Sequence, residues 1–252
     1  MAYCKNKNHS IYYEQHGEGN PVVLIHGGAV SFQNNYAAFG WIECMNAAGL
    51  QVIGLDLRGH GKSDKPLDSG SYGTANLASD VLAVMDELDL KIVSVVGYSL
   101  GSVVALHLIE AFPARFSKAA LVATGDGLLG FPPFAFSAVS PALVEVASRS
   151  EYPKDLPPHN AAYWNFVTES GGSFEAFLAL LAADYPPLSI ELAAKIKTPV
   201  LVVSGEDDPV LGRGPMLAKA IPKGEYLEIE KADHFNLAVN SSVKNAITNF
   251  IS

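Results

Sequence analysis

Residues 97–101 read Gly-Tyr-Ser-Leu-Gly and directly follow the apolar run IVSVV at residues 92–96. An apolar helical pattern, LGSVVALHLIEAF, then occupies residues 100–112. A tight turn between a strand and a helix forces its central residue into a strained conformation, and the residues two positions away must be tiny. Both ends of the quoted stretch are glycines, so the pattern predicts a turn that exposes the Ser99 hydroxyl. The helix N-terminus beneath that hydroxyl favours negative charge.

Short runs rich in β-branched residues alternate with helical patterns along the chain. The runs are PVVLIH (21–26), QVIGLDL (51–57), KIVSVVG (91–97), KAALVAT (118–124) and PVLVVSG (199–205). Their successive apolar positions suit strands that are covered on both faces, as in a parallel sheet. Helices are predicted at residues 76–90, 100–112 and 243–251, a hairpin strand within residues 10–21, and one more strand within residues 223–234. The alternation predicts an α/β protein with a doubly wound, mostly parallel central sheet flanked by helices.

Residues 126–188 depart from this alternation of strands and helices, because they are rich in proline and aromatic residues. Two helical patches are predicted inside the segment, at residues 140–150 and 173–185. We predict that the segment is a small helical cap, inserted after the sixth strand and lying over the end of the sheet. Residues 1–125 and 189–252 would then form the core domain.

The composition is that of a folded, acidic protein with a sizeable core. The chain has 252 residues, of which 49% are hydrophobic and 17% are charged, and such a chain is not disordered. A net charge of −9 disfavours non-specific affinity for nucleic acid or anionic membranes. Cys4 and Cys44 have no metal-type spacing, so reduced thiols are expected and neither a metal nor a cofactor is implied. With no signal-peptide h-region and no membrane-length apolar run, we predict a soluble, cytoplasmic protein.

A serine hydroxyl needs a base to become a good nucleophile, and the chain has seven histidines. His234, in the stretch EKADHFN, follows the last predicted strand and precedes the last predicted helix. This position returns it to the sheet edge where Ser99 is expected, so we predict that His234 is the general base. Surface or packing positions are expected for His9, His16, His107 and His159.

The base needs a carboxylate that orients it, and the stretch LVVSGEDDPV at residues 201–210 offers three acidic residues after a strand. We select Asp208, which lies three residues past the glycine that ends the strand and directly before a proline. Asp126, in the stretch ATGDG after the preceding strand, remains an alternative. Glu206 and Asp207 are interpreted as solvated or capping residues of the same loop.

The chain order of Ser99, Asp208 and His234 resembles that of the α/β-hydrolase superfamily, in its serine esterase and lactonase branch. Two further stretches are similar to family loops: LIHGGA at residues 24–29 and DLRGHGKSD at residues 56–64. The resemblance covers nearly the whole chain and is weakest in the predicted cap. It implies the α/β-hydrolase fold and a catalytic triad formed by these three residues.

The resemblance also implies an oxyanion hole, formed by the backbone N–H groups of Gly28 and Leu100. Such donors act on the negative charge that develops on the substrate oxygen. His26 is expected to hold its loop by hydrogen bonding, and Arg58 and His60 to be structural supports near the site. The chain departs from many relatives at Asp233, where they have glycine. We expect this carboxylate to face solvent, although it would raise the pKa of the histidine if it pointed inward.

A serine nucleophile is expected to act through a covalent acyl-enzyme, as in a carboxylesterase, whereas dehalogenases and epoxide hydrolases of the family use an aspartate. Aromatic residues of the cap are expected to pack onto the body, and some of them to line a substrate pocket: Phe131, Phe134, Trp164 and Phe177. Positive charge in the cap is limited to Arg149 and Lys154. We therefore predict a small, neutral, apolar ester or lactone as the substrate, with no nucleic acid and no membrane as partners, while the sequence leaves the oligomeric state open.

Three alternatives remain open from the sequence. The first is a carbon–carbon bond or enol-lactone hydrolase of a catabolic pathway, in which Arg149 would bind a carboxylate. The second is perhydrolase activity, which uses the same triad. The third is a signalling protein of slow turnover that binds a small ligand and a protein partner.

Overall fold

The structure is a computed structural model that describes residues 2–129, 165 and 167–252. Eight strands form one sheet in the order β1-β2-β4-β3-β5-β6-β7-β8. The strands are β1 (Ala2–Asn6), β2 (His9–His16), β3 (Asn20–Ile25), β4 (Leu50–Leu55), β5 (Val93–Tyr98), β6 (Phe116–Val122), β7 (Val200–Gly205) and β8 (Gly224–Ile229). All neighbouring pairs from β4 to β8 in that order are parallel, and β2 pairs antiparallel with both β1 and β4. The predicted α/β fold class is confirmed.

Seven α-helices with defined bounds lie between these strands in the described part of the chain, and an eighth follows β8. They are α1 (Phe32–Asn35), α2 (Trp41–Ala47), α3 (Thr74–Glu87), α4 (Leu100–Ala111), α5 (Phe174–Leu181), α6 (Ile190–Ala193), α7 (Pro215–Ala220) and α8 (Ser241–Ile251). The helices predicted at residues 76–90, 100–112 and 243–251 correspond to α3, α4 and α8. The short helices α1, α2, α6 and α7 and the edge strand β1 have no counterpart among the predictions.

Two apolar layers cover the two faces of the sheet. On one face, α3 packs against β1 and β2 and α4 packs against β5 and β6, with residues such as Val81 and Val104 in one buried cluster. On the other face, Trp41 of α2 and Ile247 of α8 belong to a second buried cluster. Burial on both sides explains why the central strands are continuous apolar runs rather than alternating ones.

The register of the parallel strands places their carboxyl ends at one edge. Ile25 pairs with Gly97, and Tyr98 pairs with Val122. Gly205 pairs with the last residue of β8. The loops that follow β3, β5, β6, β7 and β8 therefore emerge together, which is where open parallel sheets place their ligands.

The predicted cap is only partly described. The patch at residues 173–185 contains α5, whereas the patch at residues 140–150 lies outside the described residues. The division into a core domain and a cap over residues 126–188 stays a prediction. Among the described helices, none combines the length and the apolar character that a membrane span requires.

Candidate active site

Ser99 occupies a sharp turn between β5 and α4. Its backbone has φ 50° and ψ −110°, a left-handed conformation that costs about 1–3 kcal/mol for a residue with a side chain. A Cβ atom on Gly97 would overlap with the carbonyl oxygen of Gly101, and a Cβ atom on Gly101 would overlap with that of Ile25. Strand and helix approach so closely here that only glycine fits, as the sequence pattern predicts.

A chain of two hydrogen bonds joins the three residues expected to form the triad. His234 Nε2 lies 2.9 Å from Ser99 Oγ, and His234 Nδ1 lies 2.8 Å from Asp208 Oδ2. The histidine and the aspartate are buried, whereas the serine is half-buried. Residues that are distant in the sequence thus meet at the predicted sheet edge, with the geometry that a nucleophile and its base require.

Both carboxylate oxygens of Asp208 form hydrogen bonds. Its Oδ1 accepts backbone N–H groups from Val210 at 2.7 Å and Leu211 at 3.0 Å, which leaves Oδ2 for His234. Burial alone would raise the pKa of this carboxyl, but the hydrogen bond and charge of His234, together with the two amides, lower it below its usual value. The ionised carboxylate holds the proton on Nδ1, so the Nε2 lone pair faces Ser99.

The alternative acid, Asp126, points elsewhere. Its Oδ1 accepts the backbone N–H of Leu217 at 2.8 Å, within the first turn of α7. Of the two neighbours of the selected acid, Asp207 is exposed and Glu206 accepts the backbone N–H of Lys231. The structure therefore brings Asp208, and none of these other carboxylates, to the histidine.

Tyr98 connects the loop of His234 to the sharp turn that carries Ser99. This contact is not predicted from the sequence. The tyrosine hydroxyl donates to the carbonyl oxygen of His234 at 2.6 Å, and its ring meets the imidazole edge-on at 6.3 Å. On the other side, the Asp233 carboxylate accepts the backbone N–H groups of Phe235 and Asn236, both at 2.9 Å. Asp233 thus caps the turn after the histidine instead of pointing toward the imidazole.

Two buried histidines hold the loop after β3. His26 Nδ1 lies 2.7 Å from the carbonyl oxygen of Gly27, and its Nε2 accepts the N–H of Leu57 at 3.0 Å. His60 Nδ1 lies 3.1 Å from the carbonyl oxygen of Arg58, and its Nε2 accepts the N–H of Ala29 at 3.2 Å. Each ring therefore carries its proton on Nδ1 and is neutral. This arrangement agrees with the supporting role expected for both side chains.

The surroundings of these rings oppose their protonation. Burial lowers the pKa of His26 to about 4, and the hydrogen bond to Gly27 offsets only part of that shift. Burial lowers the pKa of His60 to about 3, with a smaller contribution from His26. An unfolded chain protonates histidine near pH 6.5. The stability that comes from these neutral rings is therefore fully present above about pH 6.5 and is lost as the pH falls toward 4.

Replacing His60 with glutamine should flatten the dependence of stability on pH. Each buried neutral histidine changes the free energy of unfolding by about 1.4 kcal/mol per pH unit between the unfolded and folded pKa values. We expect the variant to be less stable than the wild type at pH 7.5, because the bond to the Arg58 carbonyl is lost. The difference in melting temperature should shrink steadily down to pH 4.5.

The control for this experiment is a change to glutamine at an exposed residue of the same loop that does not titrate, Leu67→Gln, whose melting curve should run parallel to that of the wild type below pH 6.5. Parallel curves for His60→Gln would contradict a neutral buried imidazole.

Gly28 and Leu100 face each other beside Ser99. Leu100 is the first residue of α4, so its N–H has no partner within the helix. A Cβ atom on Gly28 would lie 3.9 Å from Leu100 Cδ2. The amides on either side of Gly28 are fixed, since Gly27 donates to Asn35 Oδ1 and Ala29 donates to a histidine. The arrangement fits the oxyanion hole expected from the sequence, which stays a prediction.

A cavity of about 390 Å³ opens over Ser99. Apolar residues make up much of its described wall: Val30, Ala38, Phe39, Phe177, Phe235 and Ala238. Of the four aromatic residues expected to line a pocket, Phe177 does so, whereas Phe131, Phe134 and Trp164 lie outside the described residues. Apart from the histidine, the described wall contains one acidic residue, Glu169, and no lysine or arginine. Within the described ranges, no three metal-ligating side chains cluster.

A strained serine at the carboxyl edge of a parallel sheet, facing a histidine, defines the class of protein as an α/β hydrolase. The chain belongs to the alpha/beta hydrolase fold family, whose model matches residues 20–147. Hydrolase function is supported at the level of this class.

Individual relatives have different activities. The chain is 27% identical to the AB hydrolase superfamily protein YisY of Bacillus subtilis, over 92% of this chain and 91% of that protein. It is 28% identical to a non-heme chloroperoxidase of Streptomyces lividans, over 94% and 93%. Among solved structures, Est816, described as an N-acyl homoserine lactone degrading enzyme, is 27% identical with a TM-score of 0.80 and complete coverage of both chains.

Proposed function

We propose that the protein is a serine hydrolase that cleaves a small, neutral and largely apolar carboxylic ester or lactone through an acyl-enzyme. The observation that carries the proposal is the hydrogen-bonded chain from Asp208 through His234 to Ser99, which ends at the floor of an apolar cavity. Such an arrangement makes an otherwise weak hydroxyl nucleophile reactive.

Acylation begins when Ser99 Oγ attacks the carbonyl carbon of the substrate and His234 Nε2 takes the hydroxyl proton. Negative charge then develops on the carbonyl oxygen, where the N–H groups of Gly28 and Leu100 would stabilise it; losing one such donor in other enzymes costs about 3–4 kcal/mol. Asp208 stabilises the imidazolium that forms. The intermediate collapses, the carbon–oxygen bond breaks, and the leaving alcohol takes the proton from His234.

Deacylation repeats the sequence with water. His234 removes a proton from the water, the resulting hydroxide attacks the acyl carbon, and the bond to Ser99 Oγ breaks as the oxygen recovers its proton. With an ester the alcohol leaves before this step, whereas with a lactone it stays attached to the acyl chain. The products are an acid and an alcohol, or one hydroxy acid.

The wall of the cavity favours a neutral substrate. Its described residues include six apolar side chains and one acidic residue, Glu169, and they include no lysine or arginine. A site that binds an anion normally presents arginine. A cavity of about 390 Å³ lies at the small end of the usual range for ligand pockets. The lactone-degrading enzyme that is 27% identical supports a lactone as one form of the substrate.

A panel of p-nitrophenyl esters graded from acetate to decanoate, together with γ-butyrolactone and N-acyl homoserine lactones, tests the proposal. We expect multiple turnover on short and medium chains in the presence of EDTA, with kcat/KM falling for long chains. The matched control is Ser99→Ala on the same panel. Single turnover without further product would instead indicate a ligand-binding protein, and activity that EDTA abolishes would contradict a metal-free mechanism.

A second candidate function is the formation of peracids, which is supported by the chloroperoxidase relative. In that reaction hydrogen peroxide replaces water and attacks the acyl carbon, and Ser99 leaves as before. Halogenation of monochlorodimedone in acetate buffer with peroxide and bromide measures it. The ester panel and this assay together show which nucleophile the acyl-enzyme prefers.

A further inference from the structure

We propose that Asn35 is a specificity-determining residue, whose side-chain amide donates a hydrogen bond to a second carbonyl group of the substrate. The inference rests on the proposed function as an ester or lactone hydrolase and deepens it. The substrates are then esters or lactones with a keto or amide carbonyl close to the bond that is cleaved.

The orientation of the Asn35 amide follows from its partner. Asn35 is the last residue of α1 and is 4% exposed. Its Oδ1 accepts the backbone N–H of Gly27 at 2.8 Å. A backbone N–H can only donate, so the amide oxygen must face Gly27, and the Nδ2 group must point away from it.

The Nδ2 group has an open donor position. Among the described residues it donates to no acceptor, and it is not fully enclosed by protein, unlike the buried hydroxyl groups of Thr74 and Thr124. Asn35 lines the cavity over Ser99, so the cavity is the open side of this buried amide. Leaving a buried donor unpaired is unfavourable, and a ligand carbonyl would remove that cost.

The position of Asn35 limits where the second carbonyl can lie. Gly27, its hydrogen-bond partner, is close to the nucleophile, since a Cβ atom on Gly27 would lie 3.5 Å from Ser99 Cβ. Gly28, the expected oxyanion donor, is the next residue. The free amide therefore lies beside the reacting group without being part of the oxyanion hole, and its acceptor belongs to the neighbouring part of the substrate.

The chemistry of the wall selects a neutral acceptor. An uncharged amide donor needs no charge on its partner, and the described wall offers Glu169 but no cation to a carboxylate. A keto or amide carbonyl accepts one hydrogen bond without bringing charge into the cavity. Its net contribution in such a setting is about 0.5–1.5 kcal/mol, which corresponds to a preference of roughly threefold to tenfold.

The test compares two esters of equal length, p-nitrophenyl 4-oxopentanoate and p-nitrophenyl pentanoate, and a lactone pair, N-butanoyl homoserine lactone and α-butyl-γ-butyrolactone. We expect the wild type to prefer the carbonyl-bearing member of at least one pair by roughly threefold to tenfold in kcat/KM. Asn35→Ala removes the donor and should abolish that preference. Any general loss from a less ordered loop cancels in the ratio of the two substrates.

Asn35→Asp at pH 8 separates the donor from the loop contact, because an ionised carboxylate still accepts the Gly27 N–H but donates nothing. It should also lose the preference. Gln33→Ala, an exposed change on the same helix, should keep it. A wild type without preference in either pair, or variants with the same preference as the wild type, would overturn the inference. A wild type that hydrolyses none of the four compounds would overturn the proposed function together with it.

Discussion

Alanine at position 99 should lower kcat for ester hydrolysis by roughly 10⁴-fold or more, with little change in melting temperature. In the proposed mechanism the hydroxyl is the atom that His234, 2.9 Å away, would activate, and no other atom of the side chain could form the acyl-enzyme. Serine and alanine both have a Cβ atom, so the left-handed backbone at φ 50° is equally strained in both proteins. Steady-state hydrolysis of p-nitrophenyl butyrate and a thermal melt measure the two quantities.

The matched control for this change is Ser242→Ala, a serine-to-alanine change on the exposed face of α8. It should leave both kcat and the melting temperature close to those of the wild type. A Ser99→Ala enzyme with near wild-type activity would show that another residue attacks the ester. Mass spectrometry after addition of a fluorophosphonate would then locate that residue.

Asp208→Asn should be nearly as damaging, with a loss of kcat on the order of 10⁴. The reason lies in the two backbone N–H groups that donate to Oδ1. They require an oxygen at that position, so the asparagine must place its NH₂ group toward His234. The imidazole then has to accept on Nδ1 and carry its proton on Nε2, and in that tautomer it cannot take a proton from Ser99.

Two further changes from aspartate to asparagine make this prediction specific. Asp126→Asn keeps an oxygen for the Leu217 amide, and Asp207→Asn changes an exposed residue of the same loop. Both should keep most of the activity at pH 7.5. If Asp126→Asn were the more damaging variant, the acid would have been assigned to the wrong residue.

The turn that carries Ser99 could be predicted from the sequence, because local steric constraints determine its backbone conformation. Two glycines around one serine, after a continuous apolar run, leave a single way to connect a strand and a helix. His234 could also be located, since a residue that follows a parallel strand must emerge at the carboxyl edge. These predictions need only the period of the apolar pattern and the position of each strand end.

The choice of acid and the contacts of the site needed the structure. Asp126 and Asp208 both follow strands, and the sequence does not show that one carboxylate points at α7 while the other points at the histidine. Tyr98 reaches a carbonyl group 136 positions away along the chain, a contact with no local signal. Asn35 belongs to a helix of four residues, which is too short for a periodic pattern.

The tether from Tyr98 to the histidine loop has a mechanical consequence. Tyr98, whose hydroxyl binds the carbonyl oxygen of His234, is adjacent in the chain to Ser99, so a displacement of the end of β5 should carry Ser99 and His234 in the same direction. A second tether joins the histidine loop to the loop of Asp208, because Asp207 donates its backbone N–H to the carbonyl oxygen of Ala232 at 2.9 Å and Lys231 donates its backbone N–H to Glu206 at 3.1 Å. The three segments that carry Ser99, Asp208 and His234 are therefore joined by hydrogen bonds additional to the two between their side chains, so a displacement of one segment should carry the other two with it.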